Sequence, residues 1–377
     1  MEDNRKAKHS LSENSLEEIL KNNDGENKMQ QERRSEIVSK WMEGTGPEAE
    51  IVISSRIRLA RNIRKMPFPP LASDEQREKI LQTAKDVLRN SRLEESGFGI
   101  MDISVLSPVF RQVLVEKHLI SPLLSRENRF SALMLRKDEI ISIMVNEEDH
   151  FRIQCLLPGL QLEKAWQEAS RYDDILESHL DYAFDEEKGY LTACPTNVGT
   201  GLRASVMLHL PALAITQQIN RILSAVSQVG LAVRGLYGEG TEMTGNLFQI
   251  SNQITLGQSE EEILQNLYGV TSQLINQEKS AREHLLNEGR EKLGDRAGRA
   301  YGILKNAWML SSREAMQFLS DVRLGVDLGL LKGVPLKILN ELLVLIRPGC
   351  LQYLKDKNLG PYERDLERAI QIQKCLP

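Results

Sequence analysis

The chain has 377 residues, 41% of them hydrophobic and 27% charged, with a formal net charge of -5. That length is enough for one large domain and a smaller one, and the acidic balance excludes bulk electrostatic capture of nucleic acid or an anionic membrane. Four scattered cysteines (Cys155, Cys194, Cys350, Cys375), no apolar run of membrane-spanning length and no signal-peptide core lead us to expect a soluble protein of the reducing cytoplasm.

Residues Met1 to Ser35 hold no aromatic side chain and interleave both charges. Such a segment buries little apolar surface, so a mobile extension is expected, with a short helix near Leu16 to Lys21. From Glu50 the pattern changes. Period-two alternation predicts strands at Ile51–Ala60, Ala132–Leu135, Ile140–Val145, Phe151–Leu156, Leu202–Leu208, Leu231–Arg234 and Phe248–Gln253. Helical spacing predicts Ser73–Asn90, Leu160–Ala183 and Leu210–Val229 between them. The class is α+β, with an antiparallel or mixed sheet and helices packed on one face. From Ser259 the strand signals stop. The run Ser259–Glu262 reads as a capping box that opens a helix to about Glu288, and 289–377 reads as a second, all-helical domain. The expected division is therefore 1–35, 50–285 and 289–377. Apolar faces on the C-terminal helices point to a homo-oligomer.

Side chains alternate along a strand, so each strand can be read for its two faces. In IVISSRIRLA, residues Ile51, Ile53, Ile57 and Leu59 share one face, and Arg56 and Arg58 share the other. By the same rule Arg152 lies opposite Phe151, Ile153 and Cys155. Arg203 lies opposite Leu202, Ala204, Val206 and Leu208, and Arg234 opposite Leu231 and Val233. A single such arginine is ordinarily a solvated side chain. Five in one sheet would repel one another on a shared surface, and a bound polyanion would remove that cost. Guanidinium forks match phosphate oxygens, which makes a triphosphate cradle the expectation. No P-loop, dinucleotide fingerprint or protein-kinase motif competes with it.

Two further stretches carry acid or glycine. NEEDH (Asn146–His150) places three carboxylates between apolar strands, and RGLYGEGTEMTGN (Arg234–Asn246) carries Glu239 and Glu242 in a glycine-rich loop. A phosphate acceptor surrounded by carboxylates is expected to be cationic. A guanidinium fits: one carboxylate aligns it and another takes its proton as the N–P bond forms. CPTNVGTG (Cys194–Gly201) is a tight turn feeding directly into Arg203.

The segments SSRIR, VNEEDHFR, CPTNVGTGLR and VRGLYGE resemble the phosphagen (guanidino) kinase family in content and order, over most of Ile51 to Ala281. The resemblance implies a glutamine-synthetase-like sheet, ATP and Mg²⁺, and no metal ligand from protein side chains. It places Arg56, Arg58, Arg152, Arg203 and Arg234 on the ATP phosphates. The remaining ATP contacts it implies are Ser54, Ser55, Ile57, His118, Ala204, Ser205, Val206, Met207, Gly235, Leu236, Tyr237, Gly238 and Glu239. Glu148 and Glu239 would bind the acceptor guanidinium and serve as base, with Cys194 beside it. Carboxylates that interact share a titration, so the choice between the two as base stays open.

Family members acting on free guanidines carry a helical domain before the SSR strand. Here the preceding segment reads as largely unstructured, and a helical domain follows the core instead. That arrangement is similar to the bacterial protein-arginine kinase branch. It implies exposed arginines of proteins as substrates, a zinc-binding activator, and a Clp unfoldase–protease that receives the marked proteins. PYERDLERA contains R-D-x-x-R-A at Arg364, Asp365, Arg368 and Ala369. The residues alone read as a salt-bridged surface helix, whereas the resemblance implies an allosteric phosphoarginine pocket. The competing expectations are a free-guanidine kinase and a non-catalytic phosphoarginine-binding adaptor.

Overall fold

A computed structural model of the chain describes residues 29–126, 129–235 and 244–377. Its centre is an eight-stranded sheet in the order β2-β3-β4-β5-β1-β8-β10-β9. The strands are β1 (Val52–Arg61), β2 (Phe98–Asp102), β3 (Ala132–Arg136), β4 (Ile141–Val145), β5 (Phe151–Pro158), β8 (Leu202–His209), β9 (Leu231–Arg234) and β10 (Leu247–Asn252). A small hairpin, β6 (Phe184–Asp185) with β7 (Gly189–Tyr190), stands apart from it. Every pairing is antiparallel, which decides between the two expected kinds of sheet.

One face of the sheet is apolar because alternate residues put it there. Ile57, Leu59, Phe151, Ile153, Leu202, Ala204 and Val206 join one core. Helices α1 (Asp74–Asn90) and α4 (Leu162–Glu177) close over it, together with the first half of α7 (Glu260–Asn306). Ser73 and Ser259 each form the capping box that opens α1 and α7. Gly289 breaks α7 with non-helical backbone, so it is two helices meeting at a kink, one residue past the expected end at Glu288.

A second core forms around the C-terminal helices α8 (Ser312–Asp327), α9 (Leu336–Leu345), α10 (Pro348–Lys355) and α11 (Pro361–Cys375). It reaches back to the sheet through Ile53, Leu156, Met207 and Leu247. The helical region therefore sits on one end of the face that also carries the arginines, so both faces are covered, in contrast to the one-sided packing expected. Ile53 is a correction. Alternation assigned it to the face of Ile57, but an irregularity between Val52 and Ser54 shifts the register and turns Ile53 to the second core.

Four further expectations change. Helix α4 ends at Glu177, not Ala183: Tyr182 turns back to donate to Asp173 Oδ1 (3.1 Å) and bridges to Ile63. Leu210–Val229 is two helices, α5 (Pro211–Ile215) and α6 (Ile219–Gln228), separated where Gln217 takes a left-handed φ of 59°. The strand β2 and the helices α2 (Pro108–Glu116) and α3 (Pro122–Arg126) were not anticipated. Finally, the extension expected through Ser35 is helical at 29–37, and it docks: Arg33 donates to Tyr353 O (2.8 Å), and Arg34 pairs with Glu341 (3.1 Å). The helix expected near Leu16 to Lys21 lies outside the described residues.

A buried polar network ties the two cores. Glu278 accepts the Ala212 and Leu213 amides (3.1 and 3.0 Å) and pairs with Arg282 (2.8 Å), which reaches Asp327 at 3.3 Å. Removing one partner of a buried pair strands the other charge. Glu278→Ala is therefore expected to lower stability by about 3–5 kcal/mol in a urea titration. An unchanged midpoint would contradict the role given to this network.

Candidate active site

The central strand β1 presents Arg56 and Arg58 on its non-apolar face. The register places Arg203 opposite Arg58, Arg152 opposite Ala60, and Gln249 opposite Arg234. All five arginines thus share one face. Arg58, Arg152, Arg203 and Arg234 line a cavity of about 200 Å³ with Glu148, Cys194, Thr196 and Asn197. An adjoining cavity of about 200 Å³ shares Arg58, Arg152 and Arg234 and adds Arg56, His118, Gln154 and Gln249. The two form one cleft, with a carboxylate and a thiol at one end and a histidine and amides at the other.

Among the described residues Glu147 and Glu148 pair with Arg152, and other contacts of the cluster are to neutral groups. Arg56 donates to Gln249 Oε1 (2.9 Å) and Ser205 Oγ (3.4 Å), and Arg203 to the Asn252 carbonyl (2.7 Å). The Nε of Arg58 is buried with no hydrogen-bond partner. Burial, then the neighbouring guanidiniums, pushes Arg58 well below the usual arginine range and Arg56 down to about 10. Among the described residues the cleft is lined by more guanidiniums than carboxylates, and a polyphosphate would match that excess.

The acidic turn NEEDH is a built structure. Asn146, at a left-handed φ of 55°, donates to the Arg77 and Phe130 carbonyls. Glu147 and Glu148 both grip Arg152, each at 2.7 Å. Asp149 accepts from Asn62 and from the Ala193 amide (2.7 Å each), which fixes the start of the Cys194 turn. The two ring nitrogens of His150 meet the Ile63 amide and the Pro67 carbonyl, and burial lowers its pKa to about 4. So the carboxylates face arginine, amide groups and the Ser121 hydroxyl, and of the three only Glu148 lines the cleft.

Cys194 Sγ lies 3.0 Å from Thr196 Oγ1. Gly199, at φ 113°, packs so closely that a Cβ would come within 2.4 Å of the Thr255 carbonyl. Thr255 Oγ1 in turn donates to Thr196 O and Val198 O. The glycine therefore sets how tightly the turn seats below Arg203.

Ser54, Ser205 and Met207 line a separate cavity of about 10 Å³ that shares Arg56, His118 and Gln249 with the cleft. Ser55, Ile57, Ala204 and Val206 do not: the side chains of the last three belong to the opposite core, and Ser55 Oγ donates to Gly159 O. Alternation turns these four side chains away from the arginines, which leaves only their backbone on the cleft side. Gly235 directly follows β9 and is buried. Leu236, Tyr237, Gly238, Glu239 and Glu242 lie outside the described residues. Glu147, Gln154, Gln249 and Asn252 were missed as site residues. Gln249 was findable, because it alternates with Phe248 and Ile250.

His118 is half-buried, and desolvation followed by the charges of Arg56, Arg347 and Arg58 lowers its pKa to about 3. It is neutral in the fold. As pH falls from 6.5 toward 3, the unfolded chain gains a proton there that the folded chain does not, so stability is lost over that window. His118→Gln is expected to flatten stability against pH by about 1.4 kcal/mol per pH unit in that range. Urea titrations at several pH values measure it, and an unchanged slope would refute it.

In the helical region Arg368 is buried and donates to Ile346 O (3.0 Å), Leu310 O (2.7 Å) and Asp365 (2.5 Å). It pins α11 to its neighbours, in place of the expected solvated helix face. Arg364 is half-buried beside it, and Ala369 is in the second core. Among the described residues no group of three or more His, Cys, Asp or Glu could hold a metal, and no helix is long and apolar enough to cross a membrane.

An arginine-lined antiparallel sheet edged by a carboxylate and a cysteine defines an ATP:guanido phosphotransferase site. The family model for the ATP:guanido phosphotransferase C-terminal catalytic domain matches residues 79–281, and that for the protein-arginine kinase McsB C-terminal domain matches residues 290–377. A protein-arginine kinase of Moorella thermoacetica is 56% identical over 340 residues, covering 90% of this chain and 97% of that protein. One from Brevibacillus brevis is 55% identical, covering 90% and 95%. Among solved structures, a lombricine kinase superposes with a TM-score of 0.54 at 26% identity, covering 66% of this chain and 70% of the other. The chain belongs to the protein-arginine kinases, a family of phosphotransferases.

Proposed function

We propose that the protein transfers the γ-phosphoryl group of ATP to arginine side chains of proteins. The observation that carries this reading is the convergence of five arginines on one sheet face, joined at one end by Glu148 and Cys194. The arginines bind the triphosphate and stabilise charge on the group in transit. A guanidinium nitrogen of the acceptor attacks the γ-phosphorus; the N–P bond forms, the bond to the ADP oxygen breaks, and a carboxylate takes the proton. Glu148 orients the guanidinium, and Glu239 is the second carboxylate and candidate base. Cys194 lies against the acceptor and tunes it. Mg²⁺, arriving with the nucleotide, would supply charge neutralisation on the phosphates, and no protein side chain is assigned to hold it.

The same reading divides the chain into a catalytic domain at 50–285 and a regulatory helical domain at 289–377, in which Arg364, Asp365, Arg368 and Ala369 bind phosphoarginine. It places the protein in the cytoplasm as a homo-oligomer, with a zinc-binding activator and a Clp protease as partners. The test is a competition: phosphorylation of an unfolded arginine-rich protein is followed with millimolar free arginine present. Transfer to the protein, with free arginine left unmodified, supports the reading. Preferential consumption of free arginine would replace it with a phosphagen kinase.

A further inference from the structure

Arg152 sits where the two halves of the cleft meet, since it lines both cavities. Its guanidinium is divided between two acids. Nη1 is 2.7 Å from Glu147 Oε2, and Nη2 donates to Glu148 Oε2 at 2.7 Å. The two acids are not equivalent. The Glu147 side chain is 2% exposed, and Glu148 is 34% exposed and faces the cleft. Glu147 is also fixed from other sides. Its Oε1 accepts from Ser121 Oγ at 2.5 Å, and its Oε2 accepts the Glu148 amide at 2.9 Å.

We propose that Arg152 couples nucleotide to acceptor: it occupies Glu148 until phosphate arrives, and Glu147 is the positioning residue that keeps Arg152 within reach of both. This deepens the proposed function and rests on its assignment of Glu148 to the acceptor. Without nucleotide, the acceptor guanidinium must compete with Arg152 for the Glu148 carboxylate. A phosphate oxygen in the cleft is an alternative anion for Nη2, and the charge-assisted hydrogen bond it would accept competes with that to Glu148. Arg152 then turns from Glu148 to phosphate while Nη1 stays on Glu147, and Glu148 is released to the incoming guanidinium. Linkage makes the effect reciprocal, so bound acceptor tightens nucleotide equally. The arrangement also discourages binding an arginine when there is no phosphate to transfer.

The test is equilibrium binding of an arginine-containing peptide to the full chain, with and without a non-hydrolysable ATP analogue and Mg²⁺. In the wild type the analogue is expected to tighten peptide binding about tenfold or more, within the usual range of coupling. Arg152→Gln should tighten binding without nucleotide and reduce the coupling to about twofold. Arg203→Gln removes an equal charge from the same cavity and controls for the general field, so it should tighten binding far less. Arg152→Lys, a point charge that holds one carboxylate at a time, should fall between. Glu147→Gln leaves Arg152 to Glu148 alone, and should raise the peptide KM more than it lowers kcat. Equal tightening by the Arg152 and Arg203 variants, or weaker binding by Arg152→Gln, would overturn the proposal. Glu148→Gln separates the two levels. If it leaves peptide binding unchanged, the acceptor assignment itself fails. If it abolishes binding while Arg152→Gln behaves like Arg203→Gln, only the coupling fails.

Discussion

Glu148→Gln is expected to lower kcat for transfer to a protein by about 10²- to 10⁴-fold, the usual worth of a positioned carboxylate in proton transfer and alignment. The substitution keeps the shape and leaves an amide oxygen for Arg152, whose guanidinium is 2.7 Å from Glu148 Oε2 and also holds Glu147. The side chain is partly exposed at the edge of the cleft, so the fold does not depend on it. Nucleotide affinity should persist, because the phosphate-binding arginines are untouched. Steady-state kinetics with isothermal nucleotide binding on the same protein give both readings. A variant that turns over within threefold of wild type would remove Glu148 from the reaction.

Arg58→Met is expected to act in two opposite directions. Arg58 is half-buried among like charges, and its buried Nε has no hydrogen-bond partner. Replacing a charge in that setting with an apolar side chain of similar length removes both its desolvation cost and the repulsion of its neighbours. Without nucleotide the variant should therefore unfold at a higher urea concentration than wild type. With nucleotide the order should reverse. Ligand at 100 times its Kd adds about 2.7 kcal/mol to the protein that binds it, and the variant should lose most of that protection. Its kcat/KM should fall by about 10²- to 10³-fold, as when a donor aimed at developing charge is removed. A less stable apo variant with intact ATP protection would mean that Arg58 is structural.

The arginine face was legible because alternation is local and repeated. Arg56, Arg58, Arg152, Arg203 and Arg234 each stand opposite apolar neighbours, and antiparallel pairing brings them into register. Legibility failed where alternation fails. Ile53 changes face at the irregularity between Val52 and Ser54. The edge strand β2 places Ile100 and Met101 side by side after Gly99, which leaves no periodic signal. In the NEEDH turn no period applies, so the sequence could not say that Glu147 and Glu148 share Arg152 while Asp149 braces the Cys194 turn. The seating of the helical region on Leu156, Met207 and Leu247 depends on contacts between distant segments. The R-D-x-x-R-A residues showed the opposite limit: the i,i+3 pair of Asp365 and Arg368 that spacing suggested is there, but Arg368 is buried and also donates to the carbonyls of Ile346 and Leu310.

The most direct test of the account is phosphosite mapping by mass spectrometry under neutral handling, after incubating the protein with Mg·ATP and an unstructured arginine-containing protein. The account predicts phosphate on arginine side chains of that protein with wild type, and none above background with Glu148→Gln or Arg58→Met. Phosphate confined to serine, threonine or tyrosine, or arginine phosphorylation undiminished in both variants, would contradict it.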